Sequence, residues 1–311
     1  MTAHFLAQIG VSWIVIACVV MAILLLSVAW LRPAITACKR VSATGIGSVA
    51  FFYGASVQAE QFEPFDTVVL EPDSGFDPLA HTAHCPNWYA YVSVGEVTKQ
   101  RAYYAKMPPT WFAGRNEAWA STVVDQTAAG WPEFVVRETI GPLWERGYRG
   151  FFLDTLDSYQ LVAKTDAERA RQQAGLIAVL RALKARYPQA QLILNRGFEI
   201  LPRVHDQVAA VACESLFGRW DQANQRYDEV PGNDREWLLD QARMICERYR
   251  LPVISIDYCP PDDDARRREI ALKIAALGLE PYVTDGALQT VGVGSAALED
   301  IARPTKVTFK R

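Results

Sequence analysis

Carboxylates that follow short apolar runs are the residues of this sequence best suited to chemistry. Six runs end in an acid or have one within two residues, namely Glu71, Glu96, Asp154, Glu214, Asp257 and Asp285. One acid after a strand is often a helix cap or a solvated loop charge. Six like charges at one edge of a fold would destabilise it unless a function required them. The pattern therefore indicates a site that contains several carboxylates.

Metal binding and phosphate chemistry are two uses of clustered carboxylates that this sequence disfavours. Zinc and iron sites usually recruit histidine, and none of His4, His81, His84 and His205 ends an apolar run. We therefore expect no metal and no cofactor, with Mg²⁺ or Ca²⁺ held by acids alone as a minor alternative. Phosphate binding needs basic and backbone N–H groups, whereas the predicted edge is acidic.

Glycoside hydrolysis is the third use, and it needs two carboxylates that face each other across a sugar. One attacks or stabilises the anomeric carbon, and the other, protonated, donates its proton to the leaving oxygen. Asp154 and Glu214 end the fourth and sixth apolar runs. These would be next-but-one neighbours in a barrel, so we predict the two as the catalytic pair. Nearby acids would raise the pKa of the proton donor.

Further polar and aromatic residues near the same ends are predicted to bind the substrate. They are Tyr53, Glu96, Asp157, Tyr159, Asn195, Phe217, Asp257, Tyr258 and Asp285. The acids and the amide would bind hydroxyl or amino groups or tune the pair, and aromatic rings, including that of Trp220, would offer faces for a sugar. For two of Tyr89, Tyr91 and Tyr282 we expect core packing instead.

Eight apolar runs alternate with helical patterns, which predicts a (β/α)8 barrel, the TIM-barrel form of the α/β class, over residues 47–311. Their continuous apolarity is typical of buried parallel strands. The predicted strands are Ser48–Tyr53, Thr67–Leu70, Trp88–Val94, Gly150–Asp154, Gln191–Asn195, Val208–Glu214, Pro252–Asp257 and Pro281–Asp285. The predicted helices are Pro132–Arg146, Asp166–Tyr187, Asn233–Tyr249 and Asp262–Leu277. A doubly wound open sheet is disfavoured, because the turn after the first strand lacks a GxGxxG sequence.

Residues 1–46 form a separate predicted segment, a transmembrane or signal-anchor helix followed by a linker. Val11 to Leu31 is an uncharged run of 21 residues, long enough to cross a bilayer. A buried core helix is disfavoured because every face of the run is apolar. Cleavage of the segment, lipidation at Cys38 and membrane sidedness stay open. We expect a membrane-anchored or exported protein on the periplasmic or extracellular face.

The charge and the cysteines limit the choice of partners. The net charge is −3, and residues 1–46 hold three basic and no acidic residues, which leaves 29 basic against 35 acidic residues elsewhere. Nucleic acid is therefore an unlikely partner, whereas a cationic polysaccharide is compatible. No CxxC pair is present among the six cysteines. Disulfides among Cys85, Cys213, Cys246 and Cys259 are one possibility, and buried free thiols are the more common case.

The segment Gly147 to Tyr159, with the sequence GYRGFFLDTLDSY, carries a family resemblance. It resembles the fourth-strand motif of glycoside hydrolase family 114-type proteins, the endo-α-1,4-polygalactosaminidases. Five further segments match the same pattern in order: residues 48–54, 91–96, 119–125, 195–198 and 213–217. The resemblance spans residues 48–288. It implies a (β/α)8 fold and hydrolysis of α-1,4-linked galactosamine or N-acetylgalactosamine polymers, with Asp154 as nucleophile and Glu214 as general acid/base of a retaining mechanism.

Two alternatives remain beside the endo-acting glycosidase. One is a carbohydrate-binding barrel at the membrane that keeps the acids and aromatic rings without catalysis. The other is a glycosidase of α-galactoside specificity. The separation of the two carboxylates bears on the mechanism, because about 5–5.5 Å suits retention and about 6.5–9.5 Å suits inversion.

Overall fold

The computed structural model of the chain describes residues 45–81 and 86–302. The described residues belong to one compact unit. The anchor predicted for residues 11–31, together with Cys38 and Cys85, lies outside the described residues. Within the described ranges, no helix has the length and apolarity needed to cross a membrane.

Eight parallel strands form the central sheet, and each pairs with the next one along the chain. They are β1 (Val49–Phe52), β2 (Thr67–Leu70), β3 (Asn87–Ser93), β4 (Gly150–Asp154), β5 (Gln191–Asn195), β6 (Ala210–Glu214), β7 (Val253–Tyr258) and β8 (Glu280–Thr284). A short antiparallel strand, β9 (Val293–Gly294), follows at the edge of β8. All eight begin and end within two residues of the predicted bounds.

The first and last parallel strands lie side by side, so the sheet is nearly closed. The Tyr282 hydroxyl on β8 donates to the Phe51 carbonyl on β1 at 2.8 Å. The Tyr53 backbone N–H donates to the Leu288 carbonyl at 2.7 Å. The predicted mixed α/β architecture is thereby confirmed, and the nearly closed sheet is compatible with a (β/α)8 barrel.

Helices cover the sheet after β3, β4, β6, β7 and β8. They are α1 (Trp131–Phe134), α2 (Gly141–Glu145), α3 (Asp166–Arg186), α4 (Gly232–Met244), α5 (Asp264–Ala276) and α6 (Ser295–Ala302), with π-helical turns at Val135–Ile140 and Ile245–Tyr249. Helix α3 begins with a capping box, in which Thr165 Oγ1 accepts from the Glu168 N–H and the Glu168 carboxylate accepts from the Thr165 N–H. Its apolar face is buried, as the spacing of Leu176, Leu180 and Leu183 predicts.

Several connections depart from the regular β/α alternation. Among the described residues, the connections after β1, β2 and β5 hold only 3-10 turns, at Ala59–Phe62, Pro72–Ser74, Pro78–His81, Leu201–Arg203 and His205–Gln207. Other 3-10 turns are Tyr104–Lys106, Pro109–Trp111 and Ser158–Leu161. Between β3 and β4 lies a side sheet of the antiparallel strands Glu96–Val97, Phe112–Asn116 and Ser121–Val124. Between β6 and β7 lies a hairpin of Gly218–Asp221 and Arg226–Glu229.

Aromatic side chains fill the space enclosed by the nearly closed, barrel-like sheet. The rings of Phe51 and Phe152 meet edge to face at 5.0 Å, and Tyr282 packs against Phe51 at 5.6 Å. All three are at most 1% exposed. Burial of each such side chain stabilises the fold by about 1.5–3 kcal/mol. The barrel is therefore a packed core that supports the strand ends.

Candidate active site

A cavity of about 400 Å³ opens where the parallel strands end. It contains Asp154 and Glu214, the last residues of β4 and β6. Aromatic side chains form much of its wall, and they are Tyr53, Tyr91, Tyr103, Trp119, Phe152, Trp220 and Tyr258. A concave site with a few converging polar groups and apolar walls is typical of a ligand pocket.

One amide holds the two carboxylates together. Asn195, the last residue of β5, lies between the two strands and donates from Nδ2 to Asp154 Oδ1 at 2.7 Å and to Glu214 Oε1 at 2.6 Å. Because both oxygens contact one nitrogen, they can be no farther apart than the sum of these distances, 5.3 Å. The remaining oxygens accept from tyrosines, Asp154 Oδ2 from Tyr91 at 2.8 Å and Glu214 Oε2 from Tyr258.

The electrostatic environment favours a proton on this pair. Burial and the adjacent negative charge of Glu214 raise the pKa of Asp154 from 3.8 to about 6. Hydrogen bonds from Tyr91, Asn195 and the Thr155 backbone favour the ionised form and limit the rise. Two carboxylates so close titrate as a unit. The pair can therefore retain one proton near pH 6, which is what a site with one nucleophile and one acid requires.

The backbone takes a left-handed conformation directly after each of the three polar residues. Thr155, Arg196 and Ser215 have φ values of 61°, 57° and 66°. This conformation is strained for residues other than glycine, above all for β-branched threonine. Backbone hydrogen bonds hold the other two residues, from Arg196 N to Ala212 O and from Ser215 N to Ile256 O, each at 2.8 Å. The repeated strain marks the strand ends as a functional site.

Thr155 additionally links the ends of β3 and β4. Its Oγ1 accepts from the Gly95 N–H at 2.8 Å and lies 2.9 Å from Ser93 Oγ. A Cβ atom at position 95 would lie 1.9 Å from the Thr155 carbonyl oxygen, so only glycine permits this approach. The contact fixes the backbone immediately after Asp154.

Three of the residues predicted to bind substrate line the cavity beside Asp154 and Glu214, and these are Tyr53, Glu96 and Tyr258. Tyr53 packs edge to face on Tyr91 at 5.0 Å. Burial raises the pKa of the Tyr53 and Tyr258 hydroxyls well above the usual range, so both stay neutral. Asn195 is 7% exposed and acts on the two carboxylates rather than on the cavity itself.

Two predicted substrate-binding acids instead hold loops. Asp257 is fully buried and accepts from the N–H groups of Leu216, Phe217 and Gly218 at 3.3, 2.5 and 2.7 Å. Asp285 accepts from the N–H groups after β8, at positions 287, 289 and 290. Neither lines the cavity. A single acid after a strand often caps a helix or binds a loop, and Asp257 and Asp285 have this loop-binding role instead of the predicted contact with substrate.

Asp157, Tyr159 and Phe217 also do not line the cavity. Asp157 pairs with Arg196 at 3.4 Å, and the Tyr159 hydroxyl accepts from Gln173 at 2.9 Å. The Phe217 ring faces a separate groove, where the Arg235 guanidinium lies 5.0 Å from its centroid. Their placement gives the substrate-binding prediction no support, because each side chain contacts residues that lie outside the cavity lining.

Several cavity residues were not among the predicted site residues. Tyr91, one of three tyrosines considered for core packing, bonds to Asp154, while Tyr89 and Tyr282 are buried. Arg101 lines the cavity and pairs with Glu71 through two hydrogen bonds of 2.5 and 2.9 Å. Trp119 comes from the side sheet, which the apolar pattern of the sequence did not predict, whereas Trp220 of the hairpin lines the cavity as expected for a ring that faces a sugar.

Among residues 45–81 and 86–302, no cluster of three histidine, cysteine or acidic side chains has the arrangement needed to hold a metal ion. The cysteines of this part of the chain, Cys213, Cys246 and Cys259, are free thiols. Burial raises the pKa of the Cys213 thiol to about 12, which keeps it neutral and unreactive.

Comparison with known proteins agrees with this geometry. The sequence profile described as glycoside-hydrolase family GH114 matches residues 48–298. The structure of the glycoside hydrolase domain of PelA from Pseudomonas aeruginosa is 34% identical with a TM-score of 0.72, and the match covers 79% of this chain and 97% of that domain. An uncharacterised protein of Deinococcus radiodurans is 25% identical over 276 residues, 83% of each chain.

The structure of Aspergillus fumigatus Ega3 in complex with galactosamine shares the fold. It is 15% identical with a TM-score of 0.57, and the match covers 82% of this chain and 97% of that one. The family resemblance seen in the sequence motifs is thus confirmed by a profile that spans most of the chain. With paired carboxylates in an open cavity, this chain belongs to glycoside-hydrolase family GH114 and is a glycosidase.

Proposed function

We propose that this enzyme is a retaining, endo-acting hydrolase of α-1,4-linked galactosamine and N-acetylgalactosamine polymers. The observation that carries the mechanism is the Asn195 bridge, which keeps one oxygen of Asp154 within 5.3 Å of one oxygen of Glu214. Retaining glycosidases keep their carboxyl groups about 5–5.5 Å apart, whereas inverting ones need about 6.5–9.5 Å to admit a water molecule. This upper limit on one oxygen–oxygen distance leaves no room for a water molecule between these two oxygens, which supports direct attack by one carboxylate.

The proposed reaction has two displacements. Asp154 attacks the anomeric carbon as Glu214 donates its proton to the leaving oxygen, which gives a glycosyl ester on Asp154. Glu214, now ionised, removes a proton from water, and the resulting hydroxide displaces Asp154 and restores both carboxyl groups. Tyr258 and Asn195 hold the two oxygens of Glu214 in place for both steps.

The charge of the cavity supports a cationic amino-sugar polymer as substrate. Glu71, Glu96, Asp154 and Glu214 line it, and within residues 45–81 and 86–302 the one lining cation is Arg101, which is paired with Glu71. A concave surface of one sign attracts ligands of the opposite sign. Ega3, which shares the fold, was solved with galactosamine. Partly deacetylated chains carry protonated amines and would be steered into this cavity.

The function is tested by release of oligosaccharides from purified α-1,4-galactosaminogalactan by the full-length chain in detergent. We expect wild type to cleave the polymer, and ¹H NMR of the first product to show the α-anomer. A β-anomer would refute the retaining mechanism, because each inversion reverses the configuration. Binding without cleavage would instead favour a carbohydrate-binding barrel. Cleavage of α-galactosides alone would favour a glycosidase of α-galactoside specificity.

The pH dependence should follow the ionisation of the Asp154 and Glu214 pair, which titrates as a unit. The nucleophile must be ionised, so kcat/KM should rise with pH through about 6, the value to which its pKa is raised. Tyr91→Phe removes a hydrogen bond that lowers this pKa. The midpoint of the acidic limb should therefore move to higher pH in Tyr91→Phe. Tyr89→Phe, a buried tyrosine of the same strand, serves as control, and an unmoved midpoint in Tyr91→Phe would contradict the assignment.

The location of the enzyme is part of this proposal. The apolar run from Val11 to Leu31 supports a membrane-anchored or exported protein that meets its polymer on the periplasmic or extracellular face. Cell fractionation and protease accessibility in intact cells test this. Protein found only in the soluble cytoplasmic fraction would refute it.

A further inference from the structure

We infer that Trp119 is a stacking platform for a sugar unit outside the catalytic centre, and that Glu96 positions it. The inference rests on the proposed function, since it assigns a second contact to the same polymer. Trp119 belongs to the turn between the side-sheet strands Phe112–Asn116 and Ser121–Val124. It was absent from the sequence-predicted site residues and forms no part of the catalytic pair.

The exposure of Trp119 is the first observation. Its side chain lines the same cavity as Asp154 and Glu214, yet 60% of it stays in contact with solvent, the largest exposed fraction among the large apolar side chains described. Exposure of so large an apolar ring is unfavourable. Because the Trp119 ring lies at the border of the cavity, a bound sugar could cover it and remove its apolar surface from water.

The turn that carries Trp119 is held in place by the buried carboxylate of Glu96. The Glu96 carboxylate is 5% exposed and accepts from Asn116 Nδ2 at 2.9 Å and from Ser121 Oγ. Asn116 and Ser121 face each other across the hairpin, one at each side of the turn that carries Trp119. Asn116 Oδ1 also accepts from the Ala118 N–H at 3.2 Å. The turn is therefore fixed rather than free to move away.

Hydrogen bonds also link this turn to the segment that follows Asp154. Ser158 Oγ donates to Glu96 Oε1 at 2.5 Å, and the Ser158 N–H donates to the Thr155 carbonyl at 3.2 Å. Thr155 directly follows Asp154. Glu96 thus accepts hydrogen bonds from both sides of the Trp119 turn and from the segment after the nucleophile. With these donors in place it acts as a positioning residue rather than as a free acid for substrate.

The chemistry of an amino-sugar chain suits an exposed indole. Tryptophan attracts a cation over its face more strongly than other aromatic residues do, and the C–H face of a pyranose packs on the same surface. A galactosamine unit offers both a protonated amine and such a face. The second cavity tryptophan, Trp220, is held by Tyr227 at 4.7 Å and by a bond to Gln222. Trp119 is the more exposed of the two and is free to take a sugar.

The test compares Trp119→Ala with wild type on galactosamine oligosaccharides of increasing length and on the polymer. We expect the loss in kcat/KM to grow with chain length and to reach on the order of 10-fold for the polymer, mainly through KM. Trp119→Phe should recover part of the loss. Trp237→Ala is the matched control, because Trp237 is also an exposed tryptophan, at 50%, but does not line the cavity.

The outcomes separate this inference from the proposed function. Polymer cleavage with equal kcat/KM in wild type and Trp119→Ala at every length would overturn the role of Trp119 and leave the function intact. Absence of cleavage by wild type would overturn the function. In that case binding of Asp154→Asn protein to immobilised polymer, with and without Trp119→Ala, still decides the platform, because weaker binding supports it and equal binding refutes it.

The role of Glu96 is tested through Asn116→Ala, which removes one of its donors without burying a charge. We expect the single substitution to reproduce part of the length-dependent loss. The loss of binding free energy in the double variant Asn116→Ala/Trp119→Ala should be smaller than the sum of the losses in the two single variants, because both substitutions act through one turn. Independent, fully additive losses would refute the positioning role.

Discussion

Asp154→Asn should abolish hydrolysis and at the same time stabilise the protein at neutral pH. The substitution removes the proposed nucleophile, so we expect kcat to fall by about 10³-fold or more. Glu214→Gln should lose a comparable factor through the missing proton transfer, on the order of 10²- to 10⁴-fold. Both amides keep the size of the acids and can still accept from the Asn195 amide.

The expected gain in stability follows from the raised pKa of Asp154. Burial and the charge of Glu214 raise it from 3.8 to about 6, so the folded state holds its proton more tightly than the unfolded state does. The associated stability is complete below pH 3.8 and is lost as pH rises through 6. At pH 7.5 we expect this raised pKa to lower the stability of wild type by on the order of 3 kcal/mol, a loss that Asp154→Asn avoids.

Urea denaturation at pH 4.0 and 7.5 measures this effect. The difference in the free energy of unfolding between Asp154→Asn and wild type should be small at the lower pH and should favour the variant by up to about 3 kcal/mol at the higher. Asp157→Asn, three residues away and paired with Arg196 at 3.4 Å, is the control and should bring no such gain at pH 7.5. A variant less stable than wild type at pH 7.5 would contradict the assignment of a strained, buried carboxylate.

Asp257→Ala should destabilise the fold more than removal of any residue of the catalytic pair. Its carboxylate accepts from three consecutive backbone N–H groups and from Ser255 Oγ at 2.8 Å, all in a fully buried position. Alanine leaves these donors without partners, and each buried unpaired donor costs about 1–3 kcal/mol. We expect a loss of about 3–5 kcal/mol in the free energy of unfolding.

Activity should also fall in Asp257→Ala, because the N–H groups that it holds lie only two to four residues after Glu214. Denaturation and kcat would be measured at a temperature where the variant is still folded. Asp262→Ala, an exposed acid a few residues later, is the matched control and should change stability by no more than about 0.5 kcal/mol. A stable Asp257→Ala variant that binds polymer poorly would instead restore the substrate-binding prediction for this residue.

The strands and the two reactive acids could be predicted from the sequence for a simple physical reason. Buried parallel strands must be apolar on both faces, so runs such as Gly150–Asp154 are visible without any knowledge of the partner strand. All strands of a parallel barrel end at the same edge, so the residues after each run share a location. These two constraints predict the six acids at the edge, and the next-but-one strand positions together with the family motifs single out Asp154 and Glu214 among them.

The direction of each side chain at that edge depended on contacts that the sequence does not display. Asp257 and Asp154 both lie at strand ends, yet one turns to the N–H groups of the next loop and the other to the cavity. Whether a carboxylate at a strand end faces the cavity or the next loop depends on the loop that packs beside it, because a buried N–H group must find an acceptor. The Asn195 bridge, which sets the carboxylate separation, likewise needs three strands to assemble.

The sequence by itself therefore determined the parallel strands, the edge at which they end and the six acids near that edge, because local apolarity and chain order suffice for these. Only the tertiary structure decided which of the six acids face a sugar and which hold a loop. It also brought Trp119 to the cavity from an irregular insertion between β3 and β4. Long-range packing settles such choices, since hydrogen-bond partners far apart in the chain become neighbours only after folding.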